Sequence, residues 1–345
     1  MFFCDPFGST SPDSLFNHGA NASDHNFIFF HDQEPVHLDT FSPLFDAVDR
    51  RNLDLRHGQG PKHAGFVTSE RDSDAVDTLC SQRGWQAYYY FFHGWAALDW
   101  FRGYDRTFLI PKPSDRIIDH SFINPNRIIG GMRQHRVSLM YHILKNRISN
   151  AYVSFPHTCP VEQVPATELA RKLLWDHPDA VELFIDAKLP WDMPGEQDHP
   201  MHSCWLSLFD ESARSLAYVV TETVYSGRRH HLTEKTFKPI CLQMPFVMVS
   251  TAGSLEYLRS YGFQTFGDVW DESYDQETND VKRMEKIAEL LSRFDQMTPS
   301  ELQSTYEKCY TVIQHNYEHF YNGGFETTLW LELQNMLTQI QKDFV

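Results

Sequence analysis

Cysteine is sparse in this chain. Six residues of 345 carry a thiol (Cys4, Cys80, Cys159, Cys204, Cys241 and Cys309), and no two form a C-x-x-C pair. That spacing offers neither a zinc knuckle nor a disulfide framework, so reduced, mostly buried thiols are expected. Long hydrophobic runs are missing too: nothing approaches the roughly 18 apolar residues of a membrane span. The opening MFFCDPFGST lacks the basic start and long apolar core of a secretory leader, which makes a cytoplasmic location the expectation. Positive charge is scarce, with 30 Lys and Arg against 46 Asp and Glu for a formal net charge of −16. Such a balance argues against broad attraction to nucleic-acid backbone or anionic membrane and leaves room only for a local basic pocket. Histidines number 18, but neither His57/His63 nor His199/His202 makes the i, i+4 pair of a helical zinc motif, and no metal is expected.

What is present suits a large core. With 41% hydrophobic and 14% aromatic residues, the chain most simply forms two domains of about 100 to 200 residues each. Short apolar runs alternate with amphipathic stretches, the pattern of an α/β protein with parallel strands buried on both faces. In the first half, residues 26–30, 64–68, 86–92 and 107–110 read as strands, with helices over 41–56 and 75–83. A Pro-Lys-Pro-Ser linker at 111–114 suggests domains of 1–120 and 121–345. In the second half a strand over 126–132 runs into Gly130-Gly131, followed by a helix to 147, a strand over 151–155 and a helix over 166–175. An apolar run spans 181–185, and the long loop 190–202 has the length of a lid or an acceptor-binding insertion. Strands over 217–222 and 246–249 flank a helix, and a small-residue loop leads to a short helix from Ser254 to Gly262 and an edge strand over 263–266. The remainder is helical: 281–294, then a helix opened by the capping box Thr298/Glu301 and running to about 320, and a last one from 329.

Chemistry concentrates in residues 217–251. There an apolar run ends in Glu222, a basic loop carries Arg228, Arg229, His230 and His231, and Thr233 is placed to cap a helix beginning Glu234-Lys235. Basic residues beside a helix N-terminus favour a phosphate. Lys235, in the first turn, is poorly placed for the helix dipole and asks for an anionic partner, while Glu234 can accept bonds from a ribose. Backbone N–H groups near Gly130 and Gly131, with Arg133 or Arg136, suit a diphosphate, although the absence of G-x-G-x-x-G speaks against a dinucleotide. Asp32 and Glu34 follow the strand over 26–30, at the edge where open α/β sheets hold ligands, and either is a candidate general base. Asp72-x-Asp74 has the form of a metal-holding pair, yet acidic groups at a helix start serve the dipole without metal.

These residues carry a resemblance. AYVVTETV followed by HLTEKTFKPICLQMPFVMV resembles the donor-binding signature of the α-1,3-fucosyltransferase family, in which a strand ending in Glu precedes a T-E-K helix and a Pro-bounded strand. Asp32-x-Glu34-Pro35 is similar to that family's acidic turn, and Lys238-Pro239-Ile240-Cys241 departs from its usual Asn, Ala or Leu. The resemblance implies a GT-B fold, two Rossmann-like domains facing one another with a helical C-terminus. It places Glu222 at the donor sugar, Glu234 at the ribose, and Lys235 with Arg133 or Arg136 at the diphosphate. The implied activity is an inverting transfer from a nucleoside-diphosphate sugar, GDP-sugar favoured, to a hydroxyl of a glycan or small molecule. No cofactor or metal is expected if Arg133, Arg136, Arg228, Arg229 and Lys235 neutralise the leaving diphosphate. Similar transferases occur in tailed-virus genomes, which suggests a phage-encoded protein in the host cytoplasm and, as an alternative acceptor, DNA with hydroxymethylated bases. A non-catalytic nucleotide- or glycan-binding module is the alternative of a different class.

Overall fold

Runs of β-branched and aromatic residues build two parallel four-stranded sheets among the residues that the computed structural model describes, namely 2–3, 27–31, 35–36, 46, 64–102, 110–198 and 204–344. Asp32 and Glu34, the helix over 41–56 apart from Asp46, and the strand over 107–110 apart from Ile110 lie outside the described residues. The described part is an α/β protein. No helix among these residues is long and apolar enough to cross a membrane. The chain divides into two compact units: one comprises Met1–Ala96, Gly227–His231 and Glu326–Val345, the other Ala97–Ser226 and Leu232–Phe325.

In the first unit the strands β1 (Phe2–Phe3), β2 (Phe27–His31), β3 (Ala64–Thr68) and β4 (Gln86–Tyr89) pair in that order, all parallel. Every residue of β3 is buried, which explains its unbroken apolar run. Helix α1 (Asp74–Arg83) starts at the N-cap Ser73 and ends at Gly84, whose φ of 65° is the left-handed conformation that favours glycine there. The aromatic run expected as one strand over 86–92 splits in two, since β4 stops at Tyr89 and Phe92 opens helix α2 (Phe92–Phe101). One face of this sheet is closed by the chain's last helix. Phe30, Val67, Tyr88 and Tyr90 pack with Met336 and Ile340, while Tyr88 donates to Asp343 at 2.8 Å and the N–H of Phe91 donates to Glu332 at 2.8 Å.

The second unit has β5 (His120–Pro125), β6 (Ala151–Ser154), β7 (Ser215–Thr221) and β8 (Phe246–Val249), in the order β6-β5-β7-β8. The strand expected over 126–132 is corrected to β5, one step earlier. Its Ser121 and Asn124 are buried yet satisfied, by the carbonyls of Asn150 at 2.6 Å and Val219 at 2.9 Å, so polar letters hide a core strand. The expected edge strand over 263–266 is irregular instead: Asn316 accepts from the Gln264 N–H at 2.7 Å and donates to its carbonyl at 2.9 Å, taking the place of a neighbouring strand.

Around this sheet lie α3 (His135–Lys145), α4 (Ala166–Leu173), α5 (Ala180–Asp186), α6 (Pro194–Asp198), α7 (Phe209–Arg214), α8 (Glu234–Cys241), α9 (Ser254–Ser260), α10 (Asp280–Asp295), α11 (Pro299–Lys308) and α12 (Tyr310–Tyr321). The capping box of Thr298 and Glu301 is formed at the head of α11, with Pro299 in its first turn, but the expected single helix breaks at Cys309. Helix α9 is capped by Gly253 rather than Ser254, and α8 ends at Cys241 with Pro239 inside it. Phe237 of α8 anchors a ring cluster, 5.2 Å from Phe325, 5.7 Å from Phe320 and 5.8 Å from Phe263 between centroids. Helix α13 (Gly324–Phe344) begins here and continues, from Glu326, in the first unit.

Because Ile340 is 8% exposed within the first unit's core, Ile340→Ala is expected to cost about 2–5 kcal/mol. Urea denaturation followed by circular dichroism measures it, and a loss under about 0.5 kcal/mol, typical of a surface change, would show that the last helix does not close that sheet.

Candidate functional site

Strand order points to one edge of the second sheet. From β5 the chain moves outward to β6 and then returns to place β7 on the other side of β5, so the order reverses between β5 and β7. In open parallel sheets, ligands bind beyond the carboxyl ends of strands at such a reversal. Three residues at those ends are held in one buried network: Thr221 donates to Asn126 Oδ1 at 2.7 Å, and Asn126 donates to Asn124 Oδ1 at 2.6 Å. Arg136, in the first turn of α3, spans the same gap. Its guanidinium donates to the carbonyl of Ile128 at 2.8 Å and to that of Thr221 at 2.8 Å. Burial first, and nearby Arg133 next, pull it below the usual arginine range. Arg136 therefore serves the backbone, while Arg133 is half-buried beside it.

Glu222 follows Thr221 and is fully buried. One carboxylate oxygen accepts from the Thr233 N–H at 2.9 Å and the Thr236 hydroxyl at 2.6 Å, the other from the Thr233 hydroxyl at 2.7 Å and the Thr223 N–H at 3.2 Å. The carboxylate expected at a donor sugar thus stands at the head of α8, where an anion is favoured by the dipole. Thr233 is the N-cap expected of it, with its hydroxyl accepting from the Lys235 N–H. The Lys235 ammonium lies 3.0 Å from the Thr233 hydroxyl, 3.3 Å from that of Thr223 and 3.1 Å from Glu234 Oε1, with its side chain 26% exposed. It is a partly open cation held at the carboxyl edge of the sheet. One turn on, Lys238 is brought from its ordinary 10.5 to about 8, first by burial, against the pull of Glu234 and with the push of Lys235.

The glycine pair stands opposite. Gly131 has a φ of 55°, and a Cβ added at Gly130 would collide with the Glu162 carboxylate. Glycine suits the left-handed backbone at Gly131, and a side chain at Gly130 would have to displace the Glu162 carboxylate. The space an anion would take against Gly130 is thus bounded by a carboxylate that also accepts from the Cys159 thiol.

The basic loop belongs to the first unit. Arg228 donates to Asp74 at 2.7 Å and Asp77 at 2.9 Å, both in the first turn of α1, and Arg229 lies 3.5 Å from Glu70. Residues Arg71 and His230 exchange backbone hydrogen bonds at 2.9 and 2.7 Å. Asp74 of the Asp-x-Asp pair is therefore matched by a guanidinium at a helix start. Glu70, which follows β3, is 2% exposed and accepts from the Ser73 hydroxyl and from the Val36 N–H at 2.9 Å. Three buried histidines belong to the same unit, His31, His93 and His231, the last two rings 4.9 Å apart. Sequence reasoning singled out the acids around Glu70 for a possible metal and missed that Glu70 binds a loop from far along the chain.

Compared with family models, with curated proteins and with solved structures, the chain matches none.

Two outcomes follow from this geometry. Replacing Glu222 by Gln puts an NH2 donor among four donors, so Glu222→Gln should lose at least about 2 kcal/mol of stability in urea titration, since bonds to a charged acceptor contribute about 1.5–3 kcal/mol each. An unchanged midpoint would remove Glu222 from this role. For Lys238 the folded amine releases its proton near pH 8 and the unfolded one near 10.5, so the unfolded state binds more protons in between and stability rises with pH across that window. Wild type should therefore gain on Lys238→Met, by on the order of 2 kcal/mol between pH 8 and 10. Parallel stability–pH curves would contradict the depressed amine.

Proposed function

We propose that the chain is a glycosyltransferase of the GT-B kind, transferring a sugar from a nucleoside-diphosphate sugar to a hydroxyl acceptor. The observation that carries this is the partly open Lys235 ammonium, fixed by Thr223, Thr233 and Glu234 at the carboxyl edge of a parallel sheet beside its order reversal. A diphosphate that leaves in the reaction needs fixed positive charge where its own charge develops, and Lys235 with Arg133 supplies it in this reading. Arg136 is engaged with two carbonyls and Arg228 with two carboxylates, so their part is to hold backbone and loop.

Glu222 likewise positions Thr233 and the head of α8 rather than touching the sugar, and Glu234 remains the group for the ribose. Asp32 or Glu34 is assigned the proton of the attacking hydroxyl. The resemblance favours a GDP-sugar, inversion without metal, and a glycan or small-molecule acceptor. A net charge of −16 weighs against DNA.

Thermal denaturation with GDP, UDP and CMP, with and without manganese, tests this. A ligand at 100 times its Kd stabilises the fold by about 2.7 kcal/mol, so a metal-independent rise in Tm with one nucleoside diphosphate is expected, lost in Lys235→Ala. No rise with any of them overturns the donor site. A rise without turnover on any hydroxyl acceptor converts the transferase into a nucleotide-binding module.

A further inference from the structure

Away from Lys235, a cavity of about 350 Å³ opens inside the second unit, between α3, the corner joining α4 to α5, the loop after β7 and the first turns of α10. Its size lies at the small end of ligand pockets, which run from about 300 to 1,000 Å³. The walls are apolar where Leu174, Val281 and Met284 line them. Three carboxylates line it as well: Asp176, Asp280 and Glu285, and no lysine or arginine does. Asp280 is paired with Arg283 at 2.7 Å and Asp176 lies 3.8 Å from the His177 ring, and the exposed Asp176 and Glu285 present their carboxylates at the surface of the cavity. Trp175, next to Asp176, is 81% exposed and lines the same cavity.

One wall of the cavity is rigid. His135 lines it, is nine-tenths buried, and turns its ring nitrogens to the backbone carbonyls of Met132 and Glu222. The ring is fixed by stacking on Tyr225, with centroids 5.0 Å apart, and Arg283 lies 4.3 Å from the Tyr225 centroid. Burial holds His135 well below the ordinary histidine range, and burial with Lys145 and His177 pushes His142 down to about 4. Both imidazoles are then neutral at pH 7, and the lining keeps its negative sign.

We propose that this cavity binds a small organic amine: its ammonium between Asp176, Glu285 and the face of Trp175, and its apolar body against Leu174, Val281 and Met284. An aromatic face attracts an ammonium by about 0.5–1 kcal/mol when exposed and by more when desolvated, and the two carboxylates add to it. An anionic ligand meets repulsion from the same residues, which separates this site from the nucleotide site in charge as well as in place.

Three isosteric probes test the assignment: 3-phenylpropylamine, 3-phenylpropanol and 3-phenylpropanoate, titrated at pH 7 by calorimetry and tryptophan emission on the full chain. The amine should bind at one site per chain, at least about tenfold more tightly than the alcohol, with the carboxylate weakest. Asp176→Asn with Glu285→Gln, both at exposed positions, should abolish the preference for the amine, and the emission change should vanish in Trp175→Phe. Equal binding of amine and alcohol, or no saturable binding of the amine, overturns the proposal. The nucleotide-dependent rise in Tm, recorded on the same double variant, is expected to persist, so failure of one site is read separately from failure of the other.

Discussion

A single buried carboxylate fixes the corner on which the second sheet's ligand edge depends. Glu222 accepts from two backbone N–H groups and two hydroxyls spread over residues 223 to 236. It thereby ties the end of β7 to the first turn of α8. A buried anion is costly unless nearly all its lone pairs are met, and here four donors meet them. Removing a donor leaves the charge uncompensated, so the donors hold one another in place. Arg136 works from the other side, gripping the carbonyl of Thr221, the residue before Glu222. The opposite charge of Glu222 favours the ionised form of Arg136. The orientation of Lys235 is a consequence, because two of the three groups around its ammonium, Thr223 and Thr233, are themselves bound by Glu222.

Local signals in the sequence carried far. Thr233 and Thr298 act as caps where the sequence places them, and β3, β7 and β8 fall on their apolar runs. Each is decided within a few residues, by capping or by burial on both faces. What the sequence hides is decided at long range. Strand β5 carries Ser121 and Asn124 inward because partners 29 and 95 residues away satisfy them. Arg228 reads as a free cation beside a helix start, yet its carboxylates lie 151 and 154 residues earlier. Sheet order, and with it the reversal between β5 and β7, is likewise invisible to any local pattern. The cavity beneath α3 is a further case, since its lining comes from four separate stretches.

Charge shows the same division. Overall negativity predicts a chain that repels polyanions, but it says nothing about where cations remain open. Within the first unit, Asp74, Asp77 and Glu70 absorb Arg228 and Arg229. In the second, Lys235 keeps about a quarter of its side chain in solvent although Glu234 touches it. Glu234 is itself buried, so the pair is partly buried, and in the proposed reading a diphosphate competes with Glu234 for the ammonium.

This bears on what a short motif means. In the stretch from Glu222 to Lys238, most of the residues that carry the fucosyltransferase resemblance have a structural task in this chain: Glu222 receives, Thr233 caps, Thr236 donates, Phe237 packs. A strand that ends in a buried carboxylate and a helix that begins with threonines solve a folding problem, closing a β–loop–α corner without leaving a charge unmet. Two unrelated chains facing that problem can reach the same letters. Lys235 is different: a cation in a first helical turn works against the dipole, and its ammonium bridges Thr223, Thr233 and Glu234 with a quarter of the side chain open to solvent. A cation placed against the dipole and left partly open is what distinguishes Lys235 from the letters around it, whose tasks are met inside the corner.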